Sequence, residues 1–170
     1  MESKAKLFGH ALHPILIVFP LGLLATAVIF DLIYLASDHL AMAMVAFWMI
    51  VAGVFGGLIA AVFGWIDWFA IPENTRAKRI GLLHGVGNVV VLLLFVGSWW
   101  LRRQNLSDVP PSGALVLSFL GAGLALLTGW LGGELVERLG VAVDPGAHLD
   151  APSSLSQRSM REESTRKRYA

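Results

Sequence analysis

Four long apolar stretches, separated by short polar linkers, dominate this 170-residue chain. They cover about residues 14–36, 41–69, 80–101 and 113–133, and each is long enough to cross a bilayer as a helix, which takes about 20 mainly apolar residues. Lipid offers the backbone no hydrogen-bonding partner, so such segments cross as helices. The sequence therefore predicts an all-α fold, an integral membrane bundle of four helices in contact with the lipid bilayer.

The composition narrows the chemistry that such a bundle can carry. Hydrophobic residues make up 56% of the chain and charged residues only 15%, and the net charge of +1 excludes the basic field that a nucleic-acid-binding protein needs. Cysteine is absent, which excludes disulfides, thiolate metal sites, cysteine-bound iron–sulfur clusters and covalent haem attachment. Histidine and carboxylate side chains are left as ligands for any metal.

Basic residues are concentrated on one side of the predicted bundle. That side carries Lys4, Lys6, Arg76, Lys78, Arg79 and the basic residues that follow the fourth span. The other side carries only Arg102 and Arg103. Because positive charge stays on the cytoplasmic side, both termini are predicted to be cytoplasmic. Residues 1–140 form the transmembrane domain in this interpretation, and residues 141–170, with few large apolar side chains, are predicted to be a disordered cytoplasmic tail.

Four ionisable residues lie at the ends of the spans: His13, Asp67, His84 and Glu134. Each stands at the start of an odd-numbered span or at the end of an even-numbered one, so a chain that crosses back and forth brings all four to the same end of the bundle. Asn88 lies one turn after His84 and shares its helix face. Ionisable groups at this depth are costly unless they are paired or functional, so these residues are the candidate site.

The two halves of the chain also resemble each other weakly. Leu12-His13 opens the first span as Leu83-His84 opens the third, and a Gly-Trp pair begins both Gly64–Asp67 and Gly129–Glu134. A tandem repeat of two helical hairpins, related by an axis along the membrane normal, would place the two histidines opposite each other. Chance matching of Gly and Trp in apolar sequence explains the similarity equally well.

Small residues recur at four-residue spacing in several spans. The fourth span has Gly121, Ala125, Gly129 and Gly133, and the third has Gly81 and Gly85. Membrane helices associate by close backbone approach at small residues, so these stripes are predicted to be packing faces.

Several of these segments together resemble a known family. Its opening signature is matched by Gly9-His10-Ala11-Leu12-His13-Pro14, Phe19-Pro20-Leu21-Gly22-Leu23 and Asp31. Its later segments are matched by Gly64-x-x-Asp67-Trp68, Arg79-x-Gly81-x-x-His84-x-x-x-Asn88 and Gly129-Trp130-Leu131-Gly132-Gly133-Glu134-Leu135-Val136. Over about residues 8–143 the chain resembles an uncharacterised bacterial membrane family, domain of unknown function 2231.

The resemblance implies a four-helix, multi-pass protein of the bacterial inner membrane. The resemblance also implies redox chemistry, since some relatives are fused to Rieske-type iron–sulfur or c-type cytochrome domains. Relatives often carry a further histidine just before the Phe-Pro pair, whereas this chain has Ile17-Val18-Phe19 there. No ligand is therefore expected at that position.

Bundle cores build ligand sites from side chains on facing helices, and two such sites are open here. In one, His13 and His84 are the axial ligands of a b-type haem, with Asn88 beside them. In the other, His13, Asp67, His84 and Glu134 hold a divalent metal, since imidazole and carboxylate together suit zinc or iron. With either site, the expected protein partner is a redox partner or a second copy of the chain.

A structural alternative remains open. The same polar residues can form a hydrogen-bonded plug that joins the helix ends and specifies one bundle, in a membrane subunit without a cofactor. Transport or proton relay is less favoured, because no charged residue lies in the middle of a span to connect the two faces. No nucleophile motif or phosphate-binding loop indicates an enzyme.

Overall fold

The computed structural model describes residues 1–104 and 109–156 of the chain, and it confirms the all-helical fold with four spans. The helices are α1 (Leu12–Ser37), α2 (Leu40–Phe69), α3 (Arg76–Arg102) and α4 (Ser112–Gly133), and a π-helical turn, Glu134–Arg138, follows α4. All four helices are long and apolar enough to cross a membrane. Two short strands that the sequence did not predict, β1 (Lys6–Leu7) and β2 (His10–Ala11), precede α1.

The third helix begins four residues earlier than its apolar stretch, at Arg76 rather than residue 80. Thr75 caps this end, because its side-chain oxygen accepts a hydrogen bond of 3.1 Å from the backbone N–H of Lys78. Hydropathy marks only the part of a helix that lies in hydrocarbon. The charged first turn of α3 therefore could not be recognised from apolar length alone.

The helices pack as two hairpins. α1 lies along α2 and α3 lies along α4, and the hairpins meet mainly through α2 and α3, while α1 and α4 make few contacts. The central core between the hairpins contains Leu24 and Ala27 of α1, Ile50 of α2, and Val91 and Phe95 of α3. The polar residues at the helix ends are therefore positioned by a packed apolar core in the middle of the bundle.

The glycine stripe of α4 packs over only part of its length. A Cβ atom added at Gly121 would lie 2.8 Å from the ring of Phe95, whereas at Gly129 or Gly133 it would meet nothing within 4 Å. A four-residue spacing overshoots the helical period of 3.6 by about 40° per step, so the stripe rotates away from α3. The predicted packing role is confirmed for Gly121, whereas Gly129 and Gly133 do not pack against another helix of the described chain.

A buried ion pair ties the hairpins together at the end where α1 and α3 finish. The two terminal guanidinium nitrogens of Arg102 donate to the carboxylate of Asp31 at 2.7 Å, and Asp31 is completely buried. Arg102 also donates to Ser98 of α3 and Ser118 of α4. The sequence had placed Arg102 in a linker, and this pairing is a correction to that assignment.

The opposite end of the bundle is covered by two terminal segments, residues 1–11 and 141–156, which we call the cap. Phe8 and Gly9 connect β1 to β2 with positive φ angles of 49° and 85°, as two-residue hairpin turns require. Lys6 pairs with Asp144 and the side chain of His10 bonds that of Ser154, so the two segments contact each other.

The second segment of the cap begins at residue 141, which is also the first residue of the predicted tail. Val141 is buried against Ile71 and Leu135, at the ends of α2 and α4. The predicted disorder of residues 141–170 stays a prediction, and its part beyond residue 156 lies outside the described residues. Both described ends of the chain therefore lie at the same end of the bundle.

A histidine pair at one end of the bundle

The structure brings together two of the four predicted ionisable residues. The rings of His13 and His84 lie with their centroids 6.3 Å apart and their planes at 89° to each other. His13 is the second residue of α1 and is followed by Pro14, which suits the first turn of a helix because it lacks an N–H. His84 lies about two turns into α3. The pair therefore joins the two hairpins.

Both imidazoles make the same hydrogen bond within their own hairpin. Nδ1 of His13 lies 2.9 Å from the carbonyl oxygen of Ala60 in α2, and Nδ1 of His84 lies 2.8 Å from that of Thr128 in α4. A carbonyl can only accept, so Nδ1 carries the hydrogen, and Nε2 of the neutral ring holds the lone pair. Histidines that ligate metals use this arrangement, with the second nitrogen bonded to a carbonyl or carboxylate.

A glycine lies against each ring, four residues beyond the accepting carbonyl. A Cβ at Gly64 would lie 2.9 Å from Cε1 of His13, and one at Gly132 would lie 3.0 Å from Cε1 of His84. The sequence comparison of the two halves had matched Gly64 with Gly129. The residue with the same role is Gly132, three positions later, while the repeat itself stays a prediction.

The surroundings of the two rings differ in polarity. Asn88 donates its amide to the backbone oxygen of His84 at 2.8 Å, and its nitrogen lies 3.3–3.4 Å from both ring nitrogens. The hydroxyl of Thr128 donates to Asn88 Oδ1 at 3.0 Å. Sequence reasoning identified Asn88 but missed Thr128, although a hydroxyl in an apolar span, four residues before a glycine, was a usable signal.

Asp67 and Glu134 point to other partners. The carboxylate of Asp67 accepts hydrogen bonds from the hydroxyl of Ser3, at 2.7 and 2.8 Å, and from the backbone N–H of Lys4 at 2.7 Å. Glu134 lies in the π-helical turn and accepts from Arg76 at 2.6 Å. Within residues 1–104 and 109–156, no three His, Cys, Asp or Glu side chains form a group that could hold a metal ion. The predicted four-residue ligand set is therefore not assembled.

Lys78 holds the linker between α2 and α3 in place. The ammonium of Lys78 lies 4.1 Å from the centroid of the Trp68 ring and donates to the backbone oxygens of Trp68 and Ile71. Trp68 in turn donates from its indole nitrogen to the backbone oxygen of Lys78 at 3.0 Å. These reciprocal contacts brace the ends of α2 and α3 against each other.

In the cap, the charged groups stabilise one another. The hydrogen bond with Asp144 raises the pKa of Lys6 above its ordinary value of 10.5, against the opposing effect of burial, and Glu2 adds to the increase. Lys6 is therefore a cation throughout the physiological range, and it holds residues 1–11 against residues 141–156.

The fold and this site define a multi-pass membrane protein with a histidine pair at one end of a four-helix bundle. The chain matches the profile of a family described as predicted membrane protein DUF2231 over residues 9–145. It therefore belongs to that family, as its motifs indicated. No curated protein and no solved structure matches the chain.

Proposed function

We propose that His13 and His84 are the axial ligands of a b-type haem and that the protein transfers electrons in the bacterial inner membrane. The observation that carries the proposal is the pair itself: two imidazoles from different hairpins, with centroids 6.3 Å apart, each with Nδ1 bonded to a carbonyl. If haem is bound, Nε2 of each ring would be the atom that holds it, because Nδ1 is already bonded to a carbonyl.

The donor set favours haem over a bare divalent metal. Zinc sites take three or four protein ligands, and in the described part of the chain no third His, Cys, Asp or Glu joins the two histidines. A porphyrin supplies the equatorial nitrogens itself, so the protein provides only axial ligands. Noncovalent ligation by histidine also suits a chain without cysteine.

The residues around the pair would orient the ligands. The carbonyls of Ala60 and Thr128 fix the tautomer and the direction of each ring and increase the basicity of Nε2. Gly64 and Gly132 let the rings approach the helix backbones. Haem, when bound, supplies one-electron transfer, and a redox partner or a second copy of the chain is the protein partner that we propose.

The absorption spectrum of the purified protein tests this proposal. The protein, expressed with a haem precursor and purified in detergent, is expected to show a Soret band with one haem per chain. The variants His13→Ala and His84→Ala are each expected to lose the low-spin spectrum. The exposed histidines supply matched controls, because His10→Ala and His148→Ala leave both ligands in place. A folded protein that takes up no haem on titration contradicts the proposal.

A structural role is the second candidate, and one observation favours it. Within the described part of the chain, every buried side-chain nitrogen or oxygen already has a hydrogen-bonding partner. In that case the polar residues only join helix ends, and His84→Ala lowers the thermal stability of a protein that is colourless from the start. The spectrum and the unfolding temperature of this one variant separate the two functions.

We infer further that both termini face the cytoplasm. Both described ends of the chain lie at the histidine end of the bundle, and the basic residues of that end exceed those of the other. Fusions of a periplasm-dependent phosphatase to either terminus are expected to be inactive, whereas a fusion after Ser37, in the loop between α1 and α2, is expected to be active. The reverse pattern of activity contradicts this orientation.

A further inference from the structure

The cap lies directly outside the histidine pair in both hairpins. Asp67, which binds Ser3, is three residues beyond Gly64, and Leu135, which packs on Val141, is three residues beyond Gly132. Three residues of helix rise about 4.5 Å. The contacts of the cap therefore begin about one helical turn above the glycines that support the two rings.

Most attachments of residues 1–11 are polar, although Met1 also packs on the apolar cluster of Ile71, Leu135 and Val141 and donates to the backbone oxygen of Gly140. Ser3 and the backbone of Lys4 bind Asp67, Lys6 pairs with Asp144, and the backbone N–H of Leu12 donates to Ala5. The two strands have only two residues each, and an isolated hairpin is marginally stable in water. Segments held mainly by polar contacts at the surface open at a lower free-energy cost than packed helices, so residues 1–11 can open while the four helices stay packed.

We propose that the cap is a gate between the aqueous phase and the histidine pair, and that the contact between Ser3 and Asp67 holds it closed. This role goes beyond the haem proposal, because it concerns the access of water-soluble reagents to the imidazoles whether or not a haem is bound. It also gives Asp67 a function: its carboxylate is the anchor of the gate and not a metal ligand.

A charged, water-soluble reagent that binds Nε2 of imidazole tests the gate. The haem-free full chain in detergent is treated with aquapentaammineruthenium(II), and the labelling rate of each histidine is measured by peptide mass spectrometry. His39 is exposed at the far end of the bundle and serves as the internal reference. His13 and His84 of the unmodified protein are expected to react at least about tenfold more slowly than His39.

Variants that open the gate are expected to raise both rates. Ser3→Ala and Asp67→Asn each remove hydrogen bonds to the carboxylate of Asp67. Because these bonds stabilise the closed state, the population of the open state is expected to rise about tenfold. Ser37→Ala is the matched control, because Ser37 is exposed at the far end and its hydroxyl bonds only nearby backbone groups there, the carbonyl of Ile33 and the N–H of His39. Hydrogen exchange of residues 1–11 reports the opening independently, and it is expected to accelerate in the two gate variants only.

A locked gate is expected to have the opposite effect. The chain has no cysteine, so Lys6→Cys combined with Asp144→Cys can be joined selectively by a short bifunctional thiol reagent. Labelling of His13 and His84 is expected to fall below that of the unmodified protein, with His39 unchanged.

Either of two results overturns the gate: rates at His13 and His84 that equal the rate at His39 in the unmodified protein, or rates that Ser3→Ala and the crosslink leave unchanged. Ser3→Ala and the crosslink keep this test decisive even if Asp67→Asn fails to fold. If the histidines are shielded but the protein never binds haem, the haem proposal alone is overturned. If the protein binds haem but its histidines are labelled freely before haem is added, the gate alone is overturned.

Discussion

Arg102 donates two hydrogen bonds of 2.7 Å to the carboxylate of Asp31. This ion pair connects α3 to α1 at the end of the bundle remote from the histidines. The guanidinium group of Arg102 also donates to the hydroxyls of Ser98 and Ser118. Because Ser118 lies in α4, this helix is connected to the ion pair as well. The two hairpins are therefore held at both ends, by this ion pair at one end and by the histidine pair and cap at the other.

The ion pair predicts strong destabilisation by single substitutions. Asp31→Ala and Arg102→Ala each leave one buried charge without its partner, which costs about 3–5 kcal/mol. The double variant removes both charges and is expected to be clearly more stable than the sum of the single effects implies. Thermal unfolding in detergent measures all three variants. Strictly additive losses would show that the two groups do not stabilise each other.

The glycines at the rings predict a contrast within one helix. Gly132→Ala places a methyl group 3.0 Å from Cε1 of His84 and is expected to cost about 1–3 kcal/mol through overpacking. Gly129→Ala is the matched control, because a Cβ there meets nothing within 4 Å, and it is expected to be neutral or stabilising by up to about 1 kcal/mol through helix propensity. Unfolding temperatures of the two variants check the contrast, and equal losses would mean that Gly132 does not support the ring.

The spans could be predicted from the sequence because a bilayer imposes a simple requirement, apolar length, that local composition reveals. The closeness of His13 and His84 could be predicted for a related reason. Both open odd-numbered spans, and the alternating direction of the helices then brings them to one end. Where the helix leaves the hydrocarbon, as in the charged first turn of α3 at Arg76, the same signal stops and the boundary was missed.

The partners of the other polar residues could not be predicted, because they come from distant parts of the chain. Ser3 is 64 residues from Asp67, and nothing in its local sequence distinguishes it from a solvated serine. Asp31 and Arg102 are 71 residues apart. Their shared end of the bundle was a usable signal, but a basic residue at the edge of a linker is more often solvated than buried. The separation of Asp67 and Glu134 from the histidines follows from such pairings.

The polar neighbours of His84 predict an asymmetry between the two rings. Asn88→Ala removes the amide beside the ring and leaves the hydroxyl of Thr128 without its acceptor on Asn88, which costs about 1 kcal/mol. Nitrogen chemical shifts of labelled histidine are expected to change for His84 and to stay unchanged for His13, because the hydrogen bonds of Asn88 go to His84 and Thr128. Ile17→Ala, at the corresponding position four residues after His13, is the control that tests the other ring. Equal changes at both rings in Asn88→Ala would contradict this asymmetry.

The ion pair of the cap predicts a loss of stability as the pH rises into the alkaline range. The pKa of Lys6 is raised above 10.5 by its hydrogen bond with Asp144. A raised pKa in the folded state means that the stabilisation is fully present below the ordinary pKa and disappears as the pH rises through the raised value. The pair is partly exposed, so its contribution is at most about 1 kcal/mol. Unfolding temperatures of the unmodified protein and of Lys6→Met are therefore expected to differ by a constant amount from pH 7 to about 10 and to converge at higher pH. Asp144→Asn should reproduce the behaviour of Lys6→Met, and a difference that persists above the raised pKa would show that Lys6 acts through packing and not through its charge.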